Sequence, residues 1–295
     1  MIKKLLWLLL ISVLLLVAGV LLYSKLHRSI PHTTPVASNW PTNLPATPGL
    51  PAASLTAPPP SAPPPNKEPA AAEPVFALRP GETLEYDANI PKLNSTVAKL
   101  KIAAVEKRNA GSKGSWHLQA FAHTESPYRM VFELDDQFDS YSDAGTMTSF
   151  QYEMHLNERG QKVDSVERLL SSPHDPPPSG TSAARVLPGT RDPIGMLEYL
   201  RGVDWSHNNE VHSPVWDGHK LYEVHAVLVG KSAPVTVPAG KYNTTKIEIH
   251  VMDNGQEMKD AHFLLYLTND TQRLPVLLEA VLPVATARVE LTKAK

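Results

Sequence analysis

From Thr83 onward, apolar residues recur at every second position over most of the chain, and this period of two constrains the fold more than any other feature. In "TLEYDAN" (83–89), Leu84, Tyr86 and Ala88 alternate with Glu85, Asp87 and Asn89, and "TVAKLKIAAVEK" (96–107), "SWHLQAFAHTE" (115–125), "TMTSFQYEMHLN" (146–157) and "QKVDSVERLL" (161–170) continue the pattern. Successive side chains of a strand point to opposite faces, so this alternation is what half-buried strands require. "KLYEVHAVLVG", "APVTVP", "KYNTTKIEIHVMD", "AHFLLYLTND", "LPVLLEAVLP" and "ATARVELTK" carry it to residue 293. The count is about 11 strands, separated by turn residues such as Asn109 to Gly114, Glu158 to Gly160, Asp217-Gly218 and Asn254-Gly255. Helix signals are scarce. In "RDPIGMLEYLRG", Asp192 is a good N-cap, Pro193 takes the first position, Ile194, Leu197 and Leu200 form a stripe, and Gly202 closes it. A second short helix or a bent strand is expected over "MVFELDDQFDSY" (130–141). The fold class is therefore mainly β: a large antiparallel, strongly curved sheet or open barrel with one or two short helices.

Two segments precede this domain. "LLWLLLISVLLLVAGVLLY", nineteen residues from Leu5 to Tyr23, carries no charge, and at about 1.5 Å per residue it spans the ~30 Å hydrocarbon layer as a helix. A cleaved signal peptide usually has a shorter apolar region and a small-x-small site, whereas Lys25, His27 and Arg28 follow here. An uncleaved anchor over 1–28 is expected, N-terminus inside. From Pro31 to Pro74, fourteen of the chain's 28 prolines fall in 44 residues, and no Asp, Glu, Lys or Arg occurs before Lys67. Proline fixes φ and removes a donor, so residues 29–74 read as an extended spacer. Residues 75–295 form the globular domain.

Composition excludes several functions. Without 1–74 the chain keeps 23 Lys and Arg against 28 Asp and Glu, a balance of −5, which argues against a nucleic-acid partner. The absence of cysteine removes disulfides, thiolate metal sites and thiol nucleophiles. No GxSxG elbow, phosphate loop, GxGxxG or HExxH occurs. The acidic run "ELDDQFDSYSDAG" lacks calcium-loop order. No cofactor and no catalytic residue is assigned.

"FALRPGETLEY" (76–86), "DPIGMLEYLR" (192–201), "VTVPAGKYNTTKIEI" (235–249) and "LYLTNDTQRLPVLLEAVL" (265–282) follow one another in an order that resembles the bacterial domain of unknown function 3108 family, from about Phe76 to Leu291. The resemblance implies a β-rich protein of the bacterial envelope, exported or membrane-attached, and brings no catalytic residues. One departure is "VLPVATARVEL", where the family tends to have a glycine and Pro283 is expected to make the turn. The motif residues Pro80, Gly81, Glu82, Asp192, Pro193, Arg201, Gly240, Asp270, Arg273 and Pro275 all have structural explanations. Gly240 suits a turn needing positive φ. Asp270 would bond the turn backbone with Arg273 lying across it. Pro275 would begin a strand, and Arg201 suits a helix C-terminus or a cavity mouth.

One stretch is chemically dense: "SHNNEVHSPVWDGHKLYEVH" (206–225) holds four of twelve histidines. With a two-residue Asp217-Gly218 turn, His212 faces Glu223 and Glu210 faces His225, all on one sheet face. Two imidazoles and two carboxylates can bind zinc or a similar ion. Solvated ion pairs and a pH-sensitive contact are the alternatives. Pro214 would then fall opposite Leu221 at a hydrogen-bonded position, and a one-residue slip would scatter the set.

Three functions fit: a domain tethered to the bacterial inner membrane by a single pass, facing the periplasm and binding a lipid or other hydrophobic ligand; a scaffold or interaction module with an envelope protein partner; and a hydrolase with an unfamiliar site.

Overall fold

A computed structural model describes residues 74–295 except 111–112, 173, 175, 177–181, 259–261 and 282–285. The expected anchor over 1–28, most of the spacer and the Pro283 turn lie outside the described residues. Among those described, no helix is long and apolar enough to cross a membrane.

One sheet holds every described strand. In chain order they are β1 (Thr83–Ile90), β2 (Ser95–Ala110), β3 (Lys113–Thr124), β4 (Asp135–Asp143), β5 (Ser149–Glu158), β6 (Gln161–Leu170) and β7 (Ser182–Arg185). After the helix α1 (Pro193–Gly202) come β8 (Glu210–Trp216), β9 (Leu221–Val237), β10 (Gly240–Asp253), β11 (Gln256–Glu257), β12 (His262–Thr268), β13 (Pro275–Val281) and β14 (Thr286–Ala294). The spatial order β7-β6-β5-β4-β3-β2-β1-β14-β13-β12-β10-β9-β8 joins two meanders through a central β1/β14 pair, with β11 beside β10. All pairs are antiparallel except β6 with β7. The 14 strands differ from the expected 11 because 220–230 and 233–238 merge into one bulged strand, which removes one, while β4, β7, β8 and β11 lie outside the segments with clear alternation, which adds four. Of the two alternatives for 130–141 the strand holds: β4 begins at Asp135, and only a 3-10 turn at Tyr128–Met130 precedes it.

Alternation places Leu84, Tyr86, Ala88 and Ile90 of β1 inward, and Tyr152, Met154 and Leu156 of β5 likewise. These residues join Phe263, Leu265 and Leu267 of β12 in one core cluster lining the concave side. The helix sits in that concavity, with Ile194, Met196 and Leu200 in the same cluster. Its start is as expected. Asp192 accepts hydrogen bonds from the Ile194 and Gly195 amides at 2.9 and 2.8 Å, and Pro193 follows at the first position. Gly195 is needed for close approach, since a Cβ there would lie 2.9 Å from Ser149 Oγ. Burial raises the Asp192 carboxyl above its usual range, although backbone and serine donors oppose the shift.

The sheet curls until its two edges approach without joining in a ladder. Arg191 spans the seam: its backbone pairs with Pro214 and Trp216 of β8, and its guanidinium donates to Ser213 Oγ (2.8 Å) and the Thr146 carbonyl (2.8 Å). Across the same gap Trp216 Nε1 donates to Glu167 Oε2 of β6 at 2.8 Å.

Candidate functional site

Polar residues gather in several places. The first is the C-terminal end of α1. Arg201 Nη1 donates to Glu82 Oε1 at 2.9 Å and to Glu198 Oε2 at 2.8 Å, and its Nη2 donates to the Gln272 carbonyl at 3.3 Å. Arg273 Nη1 donates to the Arg201 and Gly202 carbonyls at 3.3 and 3.1 Å, which satisfies helix-end acceptors and sets a cation on the negative end of the dipole. Asp270 turns the preceding loop by accepting from the Gln272 and Arg273 amides. Arg273 thus reaches the helix rather than lying across Asp270. Pro275 begins β13, and its carbonyl accepts from Tyr86 Oη at 2.9 Å.

Glu82, Arg201 and Arg273, distant in sequence, therefore meet at one helix end, with Asp270 shaping the loop that carries Arg273 and Pro275 following it into β13. Pro80 and Gly81 form the turn leading to Glu82, Gly81 with φ 84°. Gly240 lies apart, at the start of β10, with φ 146°. Glu198 is the member of the cluster that sequence reasoning missed, because a glutamate outside the Ile194, Leu197 and Leu200 stripe carries no signal of burial. Burial raises the Glu198 carboxyl, with Arg201 opposing, while the two carboxylates hold Arg201 firmly charged. Arg201 is 5% exposed, so it is enclosed and guards no mouth. Two open clefts border the 269–274 loop. One, of 340 Å³, is lined by Arg79, Gly81, Glu82 and Gln272; the other, of 410 Å³, by Trp205, Lys231, Leu267 and Arg273.

The second place is the outward face of β8, β9, β10 and β12. The β8–β9 hairpin has a four-residue loop, Asp217 to Lys220, in which Asp217 Oδ1 accepts from the His219 and Lys220 amides. The register is thereby corrected: His212 faces His225, Glu210 faces Val227 and Pro214 faces Glu223. The change from the expected pairing is two residues, an even step, so Glu210, His212, Glu223 and His225 still share one face. Pro214 is tolerated because its carbonyl accepts from the Arg191 amide on the outer edge. Its nitrogen points to that same edge, away from β9.

The row continues where no sequence signal pointed. His225 faces His250 across β9 and β10, and the β10/β12 register sets His262 beside His250. Glu223 Oε1 lies 3.7 Å from His212 Nδ1 and 3.0 Å from His225 Nε2, and Glu210 Oε1 lies 3.8 Å from His212 Nε2. The His212 and His225 rings stack with centroids 3.9 Å apart. Glu248 contacts both His250 and His262, and His250 Nδ1 meets Glu257 at 2.6 Å.

Among the described residues, two sets of donor atoms are close enough to hold a metal ion, His212/Glu223/His225 and Asp139/Glu153/His155. In the second, Asp139 is already satisfied by N–H donors from Gln119 (2.6 Å) and Gln137 (2.7 Å) and by His117 Nε2 (2.6 Å). His155 is held there by Asp164 at 2.8 Å, which raises its pKa. A third polar group, the buried hydroxyls of Ser140, Ser142 and Ser149 beside Asp192, bonds to itself and to the backbone rather than to an activating imidazole.

A model of the family described as "Protein of unknown function (DUF3108)" matches residues 85–292. None of the curated proteins compared matches the sequence. Among solved structures, the chain is similar to a Brucella abortus protein described as beta-barrel-like, of domain of unknown function DUF1849, at 12% identity and a TM-score of 0.47, covering 73% of this chain and 97% of that one. A Bacteroides fragilis protein with a YmcC-like fold is similar at 9% identity and a TM-score of 0.36, covering 76% of this chain and 100% of that one.

Proposed function

The chain belongs to the DUF3108 family, and from that premise we propose that it is a non-catalytic module of the bacterial cell envelope, tethered by residues 1–28 and a proline-rich spacer, which acts by presenting its surface to a protein partner. The observation that carries this reading is the position of α1. A carrier with a curved sheet needs its concave side for the ligand. Here that side holds the helix, with Ile194, Met196 and Leu200 in the core and the Glu82–Arg201–Glu198 cluster fixing its end. The polar and charged side chains left to meet a partner lie on the outward sheet face and around the 269–274 loop. The apolar run at 5–23 and the spacer support an inner-membrane tether with the domain in the periplasm.

Tethering is tested by alkaline carbonate extraction and protease protection: the full-length chain should stay with the membrane, and the domain should be cut only from the periplasmic side. Release by carbonate overturns that part of the reading. Closure of the interior is tested by extracting purified 74–295 with organic solvent and running mass spectrometry. A clean extract is expected, and a stoichiometric lipid would return the hydrophobic-ligand reading. That second reading has a foothold in the 410 Å³ cleft with Trp205 and Leu267 in its lining.

A further inference from the structure

We propose that His212, Glu223 and His225 form a binding site for a late first-row divalent metal ion, with zinc as its simplest occupant, on the outward face of the β8–β9 hairpin. Three side chains cluster: His212, Glu223 and His225 each bring one donor atom within 4.8 Å of the others. A tetrahedral ion with bonds of about 2.0–2.1 Å sets its ligand atoms ~3.3 Å apart, and the two carboxylate–imidazole separations here, 3.0 and 3.7 Å, bracket that spacing.

The nitrogen of His225 supplies a second observation. Its Nε2 is buried from solvent and makes no hydrogen bond, although Glu223 Oε1 lies 3.0 Å away. The separation is short enough for an ion pair, but the directions are wrong for a hydrogen bond. A buried imidazole nitrogen without a hydrogen bond loses its hydration without replacement, and a metal bond along its lone pair would restore a partner. Glu210, 3.8 Å from the other nitrogen of His212, is placed as the outer carboxylate that orients a ligating imidazole.

The donor set selects the ion. Two imidazoles and one carboxylate suit zinc, nickel, copper or cobalt rather than calcium or magnesium, which take oxygen ligands. With no cysteine in the chain, no thiolate competes. The neighbouring His250 and His262 share Glu248 in a similar way, but Glu257 already holds His250 Nδ1 at 2.6 Å, so this pair serves as a built-in control.

The test is calorimetric titration of zinc, and of cobalt followed by its visible absorption, into the full-length untagged chain. One equivalent per chain is expected. The double variant H212N/H225N should weaken binding by at least ~100-fold and E210Q by about 10-fold, since loss of an outer partner alone costs ~10–100-fold. H250N/H262N should leave binding unchanged. All the substituted side chains are at least partly exposed, and circular dichroism of each variant without metal confirms its folding. Absence of uptake, uptake that survives H212N/H225N, or equal loss in H250N/H262N overturns the site.

Discussion

Arg201 and Glu82 stand 119 positions apart and meet at 2.9 Å, tying the last turn of α1 to the residue just before β1. Removing the guanidinium leaves Glu82 and Glu198 facing each other in a buried space. Breaking one side of a buried ion pair typically costs about 3–5 kcal/mol, so Arg201→Ala should lower unfolding stability by that amount in urea denaturation. A loss under about 1 kcal/mol would show that the carboxylates simply take up protons.

The helix end makes a second, steric prediction. A Cβ on Gly202 would lie 2.2 Å from Cε1 of Phe76, whose ring lies against the helix. Gly202→Ala should therefore destabilise by about 1–3 kcal/mol, the usual range for overpacking. In a Phe76→Ala background the same change should be close to neutral. Equal costs in both backgrounds, measured as a double-mutant cycle, would refute the contact as the cause.

Asp136 and Glu158 predict a pH dependence. Burial pushes Asp136 up to about 6 and Glu158 up to about 7, from ordinary values of 3.8 and 4.5. Because both folded values are raised, the folded state binds more protons than the unfolded state between these limits. Stability from these groups is full below about pH 4 and is lost as pH rises toward about 7. In the double variant D136N/E158Q the new amide oxygen at position 136 can keep the 2.9 Å bond that the Asp136 carboxylate accepts from the Asn157 amide. That variant should gain on the wild type by on the order of 1–3 kcal/mol between pH 4 and pH 8. A gap that stays constant across that range would reject the assignment.

Arg191 predicts behaviour of the seam. The residue is 8% exposed, and its guanidinium lies 3.6 Å over the Tyr199 ring and is pushed down to about 10 by burial. Arg191→Lys keeps the charge but not the fork that reaches Ser213 and Thr146 together. Faster amide exchange in β8 is expected in that variant, with little change in the central β1 and β14. Exchange that rises uniformly would show that the seam has no local stability of its own.

The strands legible from sequence pattern are those with an apolar inner face. β4 is legible only as one of two alternatives, helix or bent strand, because its inward positions are Asp136, Phe138, Ser140 and Ser142, where the serines meet the start of α1, so the alternation of apolar with polar disappears. β8 shows no clear alternation and is legible only through the Asp217-Gly218 hairpin signal, and Pro214 is tolerated in it because its carbonyl, and so its nitrogen, faces the outer edge. The Asp217-Gly218 signal marks the turn but not its length, since Asp217 accepts two amides and so spans four residues. Parity keeps the four predicted residues on one face regardless. His250 and His262 are out of reach of sequence reading, because cross-strand neighbours depend on registers set by bulges and loops far along the chain.

The central pair has a consequence for how the domain is made. Thr83 and Lys295 exchange both backbone hydrogen bonds, at 3.0 and 3.1 Å, so nearly all of the domain is threaded between two bonded residues. A ribosome completes β14 last, and until then β1 has one exposed edge and the second meander has no neighbour. Contacts this distant in sequence form slowly. The first meander must therefore wait, with a sticky edge strand open to other chains, which makes assembly a late, single event rather than a progressive one.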